Sequence, residues 1–401
     1  MKILTFTKLY PNAQMPLHGI FVARRVIALA KECGHQIEVI APIPYYPPFL
    51  PGIGEWNQLK QVPSIEEQNT VRVYHPRYFN PPKIGMAKYG QWMAQGSQAT
   101  MTRLLRNGFS FDVIDAHFVY PDGYAAIKLG QKLQRPVVIT ARGSDITRNK
   151  HFPQIRPLLS EVMRSATQLI AVSEELRDNF IELGAAPEKI HVIPNGIEIE
   201  AFYPTLQADA RKRLGLSLEE RWLVSVGRLD RNKGQWLILE ALKKIGLEAL
   251  RQRRIRLALI GQGEDREHLA SISRSAGFDD IVHFAGQLPP EEICTWYNAA
   301  NAKILASSRE GSPNVVLEAL ACGTPVIASR AGRNALVIEE ETNGLLFPIE
   351  DAQALKLAIL HALEFQWDRE QIAQRGQQRS WATVAKEVER VLRLAIKNKP
   401  E

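Results

Sequence analysis

Short apolar runs alternate with amphipathic stretches along most of the chain, a pattern typical of parallel α/β units. In the first half, the runs that predict strands are Ile3–Thr7, Ile37–Ala41, Val71–His75, Val113–His117, Pro136–Thr140, Gln168–Val172 and His191–Pro194. Helical periodicity between them predicts helices over Val22–Cys33, Tyr124–Leu133 and Glu174–Leu183. The proline-rich stretch Pro42–Thr70 interrupts the alternation, and we expect it to leave the sheet.

The alternation restarts after a seam at about residues 196–215. Further strands are predicted at Trp222–Val226, Arg256–Ile260, Ile281–Ala285, Ala302–Ala306 and Pro325–Ser329, and an amphipathic helix at Trp381–Ile396. A chain of 401 residues is long enough for two cores. We therefore expect an α/β protein with two doubly wound, Rossmann-like domains, residues 1–195 and 196–380, facing across a cleft. The C-terminal helix, about 381–401, is expected to pack back on the first domain.

The net charge of +7 lies entirely in the first half, because residues 1–195 carry 22 Lys and Arg against 15 Asp and Glu. A basic half can attract anionic lipid or an anionic acceptor, and it can also simply favour solubility. No arginine-rich run is present, so no nucleic-acid partner is expected. The three cysteines are far apart in sequence, without metal or redox spacing, and we expect them to be small core residues.

The chain contains no uninterrupted apolar run long enough to span a bilayer. The apolar start, Met1–Thr7, is too short for a signal peptide and is better interpreted as a strand. We expect a cytoplasmic protein, either dispersed or at the inner face of the membrane. In Lys83–Arg106 apolar and basic residues mix, which fits either a peripheral membrane surface or a helix that faces the core.

The richest candidate for chemistry is the segment from Ser307 to Pro325, directly after a predicted strand. Ser312 and Pro313 are suited to the start of a helix, which also contains Asn314 and Val315. Amides at such a start can hold a phosphate, and carboxylates such as Glu310 and Glu318 can accept hydrogen bonds from sugar hydroxyls. The alternative is a capped helix with two solvated glutamates.

Two further segments follow predicted strands of the second half. Arg228 and Lys233 come after the strand that ends at Val226, and two cations are what a departing diphosphate requires. Gly261 and Gly263 follow the next strand and permit close approach of the backbone to a ligand. A tight turn explains these two glycines equally well.

The first half offers two candidates of the same kind. Gly19 precedes the first long helix, where its amide can approach a diphosphate, and His117 ends a strand that is expected to be buried. A plain turn glycine and a structural histidine are the alternatives.

These segments together resemble the signature of glycosyltransferase family 4. Glu310 and Glu318 match its E-x7-E pair, Ala321–Ile327 match A-x-G-x-P-V-I, and Arg228 and Lys233 match G-R-x4-K-G. The family has the GT-B fold and transfers sugars with retention of configuration. The resemblance therefore implies catalytic roles for His117, Arg228, Lys233 and Glu310, with His117 contacting the transferred sugar.

The same resemblance implies the ligands. The donor is expected to be a sugar on a nucleoside diphosphate of the UDP or GDP type, bound by Gly19, Gly261, Gly263, Ser312, Pro313, Asn314, Val315 and Glu318. No metal and no cofactor are expected. A saccharide or lipid-linked acceptor follows from similarity to transferases of cell-surface polymer synthesis, of the teichuronic acid type. The alternatives are a sugar-nucleotide epimerase on the same fold and a non-catalytic protein that binds sugar nucleotides. Arg142 stands where many relatives carry a histidine.

Overall fold

The backbone of the chain divides into two compact units. A computed structural model describes residues 1–45, 55–69, 71–81, 84–310 and 314–398. Unit 1 contains Met1–Gly196 and Trp381–Glu401, and unit 2 contains Ile197–Ser380. The last helix of the chain therefore belongs to the same unit as the first strand.

Sixteen strands are found in the described residues. They are β1 Lys2–Phe6, β2 Gln36–Ile40, β3 Ile43–Pro44, β4 Ile65–Gln68, β5 Val71–Tyr74, β6 Arg77–Tyr78, β7 Val113–His117, β8 Val137–Ala141, β9 Gln168–Ala171, β10 Ile190–Val192, β11 Arg221–Val226, β12 Ile255–Ile260, β13 Val282–Gly286, β14 Ala302–Leu305, β15 Val326–Ser329 and β16 Gly344–Phe347.

The α-helices of the same residues alternate with these strands. They are α1 Ile20–Cys33, α2 Glu55–Gln61, α3 Tyr89–Arg106, α4 Tyr124–Leu133, α5 Ser144–Thr147, α6 Arg156–Ser165, α7 Glu174–Glu182, α8 Gln207–Leu214, α9 Gln235–Ile245, α10 Leu247–Gln252, α11 Arg266–Ser275, α12 Pro290–Ala299, α13 Asn314–Ala321, α14 Asn334–Val337, α15 Ala352–Glu364, α16 Arg369–Gly376 and α17 Trp381–Lys397. All twelve strands and all four helices for which the apolar pattern gave bounds are present, within one or two residues at most ends.

The main sheet of unit 1 has the strand order β10-β9-β8-β7-β1-β2-β5-β4. Its strands are parallel except β4, which pairs antiparallel with β5 at the edge. The prediction that Pro42–Thr70 leaves the sheet is therefore wrong for β4. The residues of β4 are exposed or half-buried, so this edge strand lacks the apolar run that marks the central strands.

Unit 2 contains a six-stranded sheet in the order β13-β12-β11-β14-β15-β16. All of its strand pairs are parallel, so every strand ends at the same edge of the sheet. The predicted α/β class with parallel, doubly wound sheets is thus confirmed for both units.

Helix α17 completes the core of unit 1. Its apolar face packs with α1 and one face of the β1 sheet, through Trp381, Val384, Val388, Val391, Leu392 and Ala395. Such burial is the main source of stability for a helix in water. Helix α3 also turns its apolar face inward: Met93, Met101 and Leu104 are buried in the other core of unit 1. For residues 84–106, the described part of the Lys83–Arg106 stretch, this packing favours a helix that faces the core.

The cysteines are less isolated than their spacing indicated. Cys294 and Cys322 are 28 residues apart, yet their sulfur atoms lie 3.7 Å from each other in unit 2. Of the three cysteines predicted to be core residues, Cys294 and Cys322 are buried and Cys33 is half-buried. Within the described part of the chain, no helix combines the length and apolarity needed to cross a membrane.

The packing of α17 can be tested with two leucines of the same helix. Leu392 is fully buried and Leu394 is 36% exposed. We expect Leu392→Ala to lower the free energy of unfolding by about 3 kcal/mol, because it leaves a cavity. The control Leu394→Ala should change it by less than about 0.5 kcal/mol. Urea unfolding followed by circular dichroism measures both, and equal effects would contradict this packing.

Candidate active site

The strand order of unit 2 reverses between β11 and β14. From β11 the chain proceeds to β12 and β13 on one side, and it returns to β14, β15 and β16 on the other. Ligands of doubly wound sheets bind at the carboxyl ends of the strands at such a reversal. The segments after β11 and β14 touch there, since the Ser308 amide donates a hydrogen bond to the Asn232 carbonyl at 2.9 Å.

An ion pair joins the two segments. Lys233 Nζ lies 2.6 Å from Glu310 Oε1, and the Ser307 hydroxyl donates to the same oxygen at 2.7 Å. The Glu310 side chain is only 6% exposed, against 31% for Lys233. The backbone of Lys233 is fixed in turn by Asp230, whose carboxylate accepts from the Lys233 amide at 3.1 Å. The ammonium group is therefore held in one position beside the end of β14.

Arg228 is the more exposed of the two cations, with 63% of its side chain in solvent. Its Nε lies 3.5 Å from Asp230 Oδ2, which is a weak contact at such exposure. Its carbonyl accepts a hydrogen bond from the buried Gln235 at 3.1 Å. The backbone is thus anchored, while most of the guanidinium group is presented to solvent.

The glycines after β12 are required by packing. A Cβ at Gly261 would lie 1.9 Å from the Gly227 carbonyl oxygen, and one at Gly263 would lie 2.1 Å from the carbonyl oxygen of Leu229. The backbones of the turns after β11 and β12 are therefore in close contact. This packing alone explains the two glycines, so their contact with a ligand stays a prediction.

Helix α13 begins at Asn314 and leads away from the Glu310 turn. Ser312 and Pro313, which the sequence predicts at its start, lie outside the described residues. Val315 is half-buried and Glu318 is 8% exposed, one turn further along. The Glu318 side chain is therefore largely covered, in contrast to a solvated helix surface.

Gly332, which the sequence did not single out, also shapes the Glu310 turn. A Cβ at this glycine would lie 1.7 Å from the carbonyl oxygen of Glu310, and its φ of +52° disfavours other residues. The loop after β15 therefore packs directly against the backbone of Glu310.

Lys303 is a second residue that the sequence analysis missed. It lies in β14 between Val224 and Val326, is fully buried, and its Nζ has no hydrogen-bond partner among the described residues. Burial lowers the pKa of its ammonium group to about 7, a shift that Glu310 opposes and Lys233 reinforces. The available signal was a lysine in the middle of an apolar strand, where lysine is almost never unpaired.

We expect Lys303→Met to raise the free energy of unfolding by about 2 kcal/mol at pH 6, because methionine fills similar space without a buried charge. Unfolded lysine has a pKa near 10.4. Between about pH 7 and 10.4, Lys303 therefore carries its proton more often in the unfolded state than in the folded state. The destabilisation caused by burying the charged Lys303 is greatest below pH 7 and decreases as the pH rises through that range.

Urea unfolding at pH 6 and pH 9 measures this cost, and the advantage of Lys303→Met should be smaller at pH 9. The exposed Lys244 on α9 provides the matched control, since Lys244→Met should have little effect at either pH. A loss of stability in Lys303→Met at both values would show that the ammonium group is paired in solution.

The candidates of the first half lie at the corresponding reversal of unit 1, between β1 and β7. His117 ends β7, is fully buried, and stands in a network of charged side chains. Its Nδ1 lies 2.8 Å from Arg142 Nη2, and its Nε2 lies 3.1 Å from Arg25 Nη2 and 3.4 Å from Asp115 Oδ2. Both ring nitrogens are therefore engaged within the unit.

The network fixes the state of the His117 ring. Burial, together with the charge of Arg25, lowers the pKa of His117 to about 3, so the ring is neutral at physiological pH. Burial opposes ionisation of Asp115, but Arg25 and His117 hold the pKa of that carboxyl below its usual value. Because Arg142 donates to Nδ1, the ring proton belongs on Nε2, towards Asp115. A direct contact between this ring and a sugar requires one of these bonds to open.

Gly19 forms the turn into α1 with a φ of +67°, and a Cβ there would lie 2.4 Å from the Leu9 carbonyl oxygen. As with the glycines of unit 2, packing accounts for the residue. Arg142, at the position where relatives often have histidine, also donates to Asn195 at 2.7 Å and lies over the ring of Phe21. The Arg142 guanidinium group is thus engaged in contacts within unit 1.

Comparison with known proteins gives the family of the chain. Residues 207–379 match the family model "Glycosyl transferases group 1", and residues 19–201 match the model "Glycosyltransferase Family 4". The chain is 31% identical to the teichuronic acid biosynthesis glycosyltransferase TuaC of Bacillus subtilis, over 90% of this chain and 88% of the relative.

Solved structures give the same result for the fold. A sucrose-phosphate synthase from Thermosynechococcus elongatus has a TM-score of 0.77 at 22% identity, with 98% of each chain covered. Anabaena HepE in complex with UDP has a TM-score of 0.74 at 20% identity, covering 98% of this chain and all of HepE. The predicted resemblance and the predicted GT-B fold are confirmed.

The chain therefore belongs to glycosyltransferase family 4. It is a glycosyltransferase.

Proposed function

We propose that the chain transfers a hexose from a nucleoside diphosphate sugar of the UDP or GDP type, with retention of configuration. The observation that carries this proposal is the Lys233–Glu310 pair at the strand reversal of unit 2, 2.6 Å between Nζ and Oε1. It brings a cation for phosphate and a carboxylate for sugar hydroxyls to one point.

The phosphate side of the site consists of Arg228 and Lys233. Negative charge accumulates on the diphosphate as its bond to the sugar breaks, and positioned cations stabilise that charge more in the transition state than in the ground state. Lys233 is already oriented by Glu310 and by the Asp230 turn, so little reorganisation is required of it. Arg228 remains exposed enough to close on the ligand.

The sugar side of unit 2 consists of Glu310 and Glu318. For His117 of unit 1, we propose a contact with the transferred sugar, as the family resemblance implies. Glu310 grips the hydroxyls of the transferred sugar, and the inner carboxylate Glu318 holds the ribose of the donor. Gly19, Gly261, Gly263 and the first residues of α13, Asn314 and Val315, supply backbone contacts to the nucleotide. For Ser312 and Pro313 the same site stays a prediction from the sequence. An oxygen of the departing phosphate takes the proton of the acceptor hydroxyl, so no side chain serves as the base.

The acceptor is a saccharide or a lipid-linked saccharide, in the synthesis of a cell-surface polysaccharide. Support comes from the name of the Bacillus relative, which refers to teichuronic acid biosynthesis, and from the covered length of that relative. The surplus of basic residues in the first half also suits an anionic acceptor or the inner face of a membrane. We place the protein in the cytoplasm on the same grounds.

The phosphate role predicts a difference between two exposed arginines of one loop. We expect Arg228→Ala to reduce kcat for transfer by about 100-fold, because a charge that stabilises the leaving group is lost. Arg231→Ala is the matched control, since Arg231 is equally exposed but lies over the ring of Trp236. Glu310→Gln, which removes charge and retains shape, should cause a loss similar to that of Arg228→Ala.

The assay uses the UDP- or GDP-sugar that gives the largest thermal shift in a donor panel, with saccharide and lipid-linked acceptors. Activity within about threefold of wild type in both Arg228→Ala and Glu310→Gln would remove these residues from the mechanism. Release of an epimerised sugar nucleotide without acceptor would indicate an epimerase. Donor binding without transfer or hydrolysis would indicate a binding protein, and an inverted anomeric centre in the product would contradict retention.

The charge of Arg228 and Lys233 also predicts that transfer needs no divalent metal. We expect kcat to stay within about twofold after dialysis against EDTA, because these side chains neutralise the diphosphate. Addition of Mg²⁺ or Mn²⁺ should then produce no larger change. Loss of transfer in EDTA with recovery on Mn²⁺ would show that the protein cations are insufficient.

A further inference from the structure

Two cysteines of unit 2 are in contact at the C-terminal end of the helix that carries Glu318. Cys294 belongs to α12, and Cys322 follows directly on the last residue of α13. Their sulfur atoms are 3.7 Å apart, with neither bonded to another cysteine. A disulfide requires about 2.05 Å between the sulfurs, so closing the bond brings the two sulfur atoms closer by more than about 1.5 Å.

The two thiols differ in their surroundings. Cys294 lines a surface cavity of about 580 Å³, together with Tyr203, Arg213, Thr295 and Asn298, and is 5% exposed. Cys322 is 1% exposed and does not line this cavity. A small neutral oxidant that enters the cavity therefore reaches Cys294 first.

Hydrogen bonding favours the same order of reaction. The Asn298 side-chain amide points at Cys294 Sγ from 3.5 Å, and the Cys322 thiol can donate to the same sulfur. The contact with Cys322 is the main cause that lowers the pKa of Cys294 to about 7. Burial raises the pKa of Cys322, and the contact with Cys294 and the charge of Glu318 raise it further. Cys294 is thus the thiol that ionises, and the thiolate is the reactive form.

We propose that Cys294 and Cys322 form a reversible disulfide, in which hydrogen peroxide oxidises Cys294 first and Cys322 then resolves the product. The Cys294 thiolate attacks one peroxide oxygen, the O–O bond breaks, and a sulfenic acid forms as the other oxygen leaves and is protonated to water. Cys322 then attacks the sulfenic sulfur, the S–O bond breaks, and a second water leaves with the proton of Cys322. The two thiols lose two electrons in total, and the peroxide gains them.

The disulfide acts on the donor site through α13. Glu318 and Cys322 are four residues apart and so share one face of the helix, and the Cys322 amide donates to the Glu318 carbonyl at 3.3 Å. Shortening the sulfur contact by more than about 1.5 Å pulls the end of α13 towards α12. This step rests on the proposed role of Glu318 in holding the donor, whereas the chemistry of the thiols does not.

The experiment treats the full-length protein with hydrogen peroxide at pH 7.5, blocks remaining thiols, and maps peptides by mass spectrometry. We expect a cross-link between the peptides of Cys294 and Cys322 that dithiothreitol reverses. Cys33→Ser, which leaves both thiols in place, should give the same cross-link. Oxidation confined to Cys33, or over-oxidation of Cys294 without a cross-link, would overturn the proposal.

Two variants test the order of the steps. With dimedone present, Cys322→Ala should give a sulfenic acid adduct at Cys294, and Cys294→Ala should leave Cys322 as a thiol. An adduct at Cys322 in Cys294→Ala would overturn the assignment of Cys294 as the first site. The mapping of the wild-type protein decides the disulfide even if a variant fails to fold.

The effect on the donor site is read in two independent ways. We expect oxidation to slow hydrogen–deuterium exchange in peptides of α13, and to weaken binding of UDP and GDP by at least threefold. Both effects should be absent in Cys322→Ala and present in Cys33→Ser. Cross-linking with unchanged exchange in α13 would overturn the coupling. Failure of the reduced protein to bind UDP and GDP would instead refute the proposed function, with exchange still deciding the coupling.

Discussion

The parallel pairing of β11 with β14 is the constraint on which the candidate site of unit 2 depends. The two strands are far apart in sequence, and their registration places Val224 beside Lys303. Since both strands run the same way, the turns that follow them end at one edge. The hydrogen bond from the Ser308 amide to the Asn232 carbonyl and the Lys233–Glu310 ion pair follow from that register. The chemistry of the site is therefore positioned by rigid strands and not by its loops alone.

This arrangement buries polar groups at a cost to stability. Lys303 has its ammonium group in the interior without a described hydrogen bond, and Glu310 is almost entirely covered. Charges withdrawn from water are expensive unless they are paired. Electrostatic interactions around the covered Glu310 carboxylate are stronger than they would be in water. Glu310 avoids most of the cost of burial through its ion pair with Lys233, as Asp115 of unit 1 does through its pair with Arg25.

Much of the fold follows from the sequence because it depends on local apolar runs. The central strands β7 and β8 are buried at every residue, and the apolar run of β8 was unambiguous. The edge strand β4 was missed because its residues are exposed or half-buried, so no apolar signal marks it. The two-residue strands β3 and β6 are too short for any periodicity. Burial does not explain every case, since β16 was missed with two buried residues and β10 was predicted with none.

The site divides in the same way. Arg228, Lys233, Glu310 and Glu318 were identified because a motif contains them. Gly332 and the Cys294–Cys322 contact were missed because each involves a partner distant in sequence, whereas Lys303 was missed although a lysine inside an apolar strand is visible in the sequence. Gly332 is needed because the Glu310 carbonyl lies against it and because its φ is positive. The contact of the two cysteines exists only because α12 packs on α13.

Helix α13 connects these two kinds of residue. It begins after the Glu310 loop, contains the buried Glu318, and leads to Cys322, whose sulfur contacts that of Cys294 in α12. The Cys322 amide donates a hydrogen bond to the Glu318 carbonyl, so the two residues belong to one helical turn. In the proposed mechanism, a reaction at the sulfur pair therefore reaches the Glu318 carboxylate over a single turn of the helix.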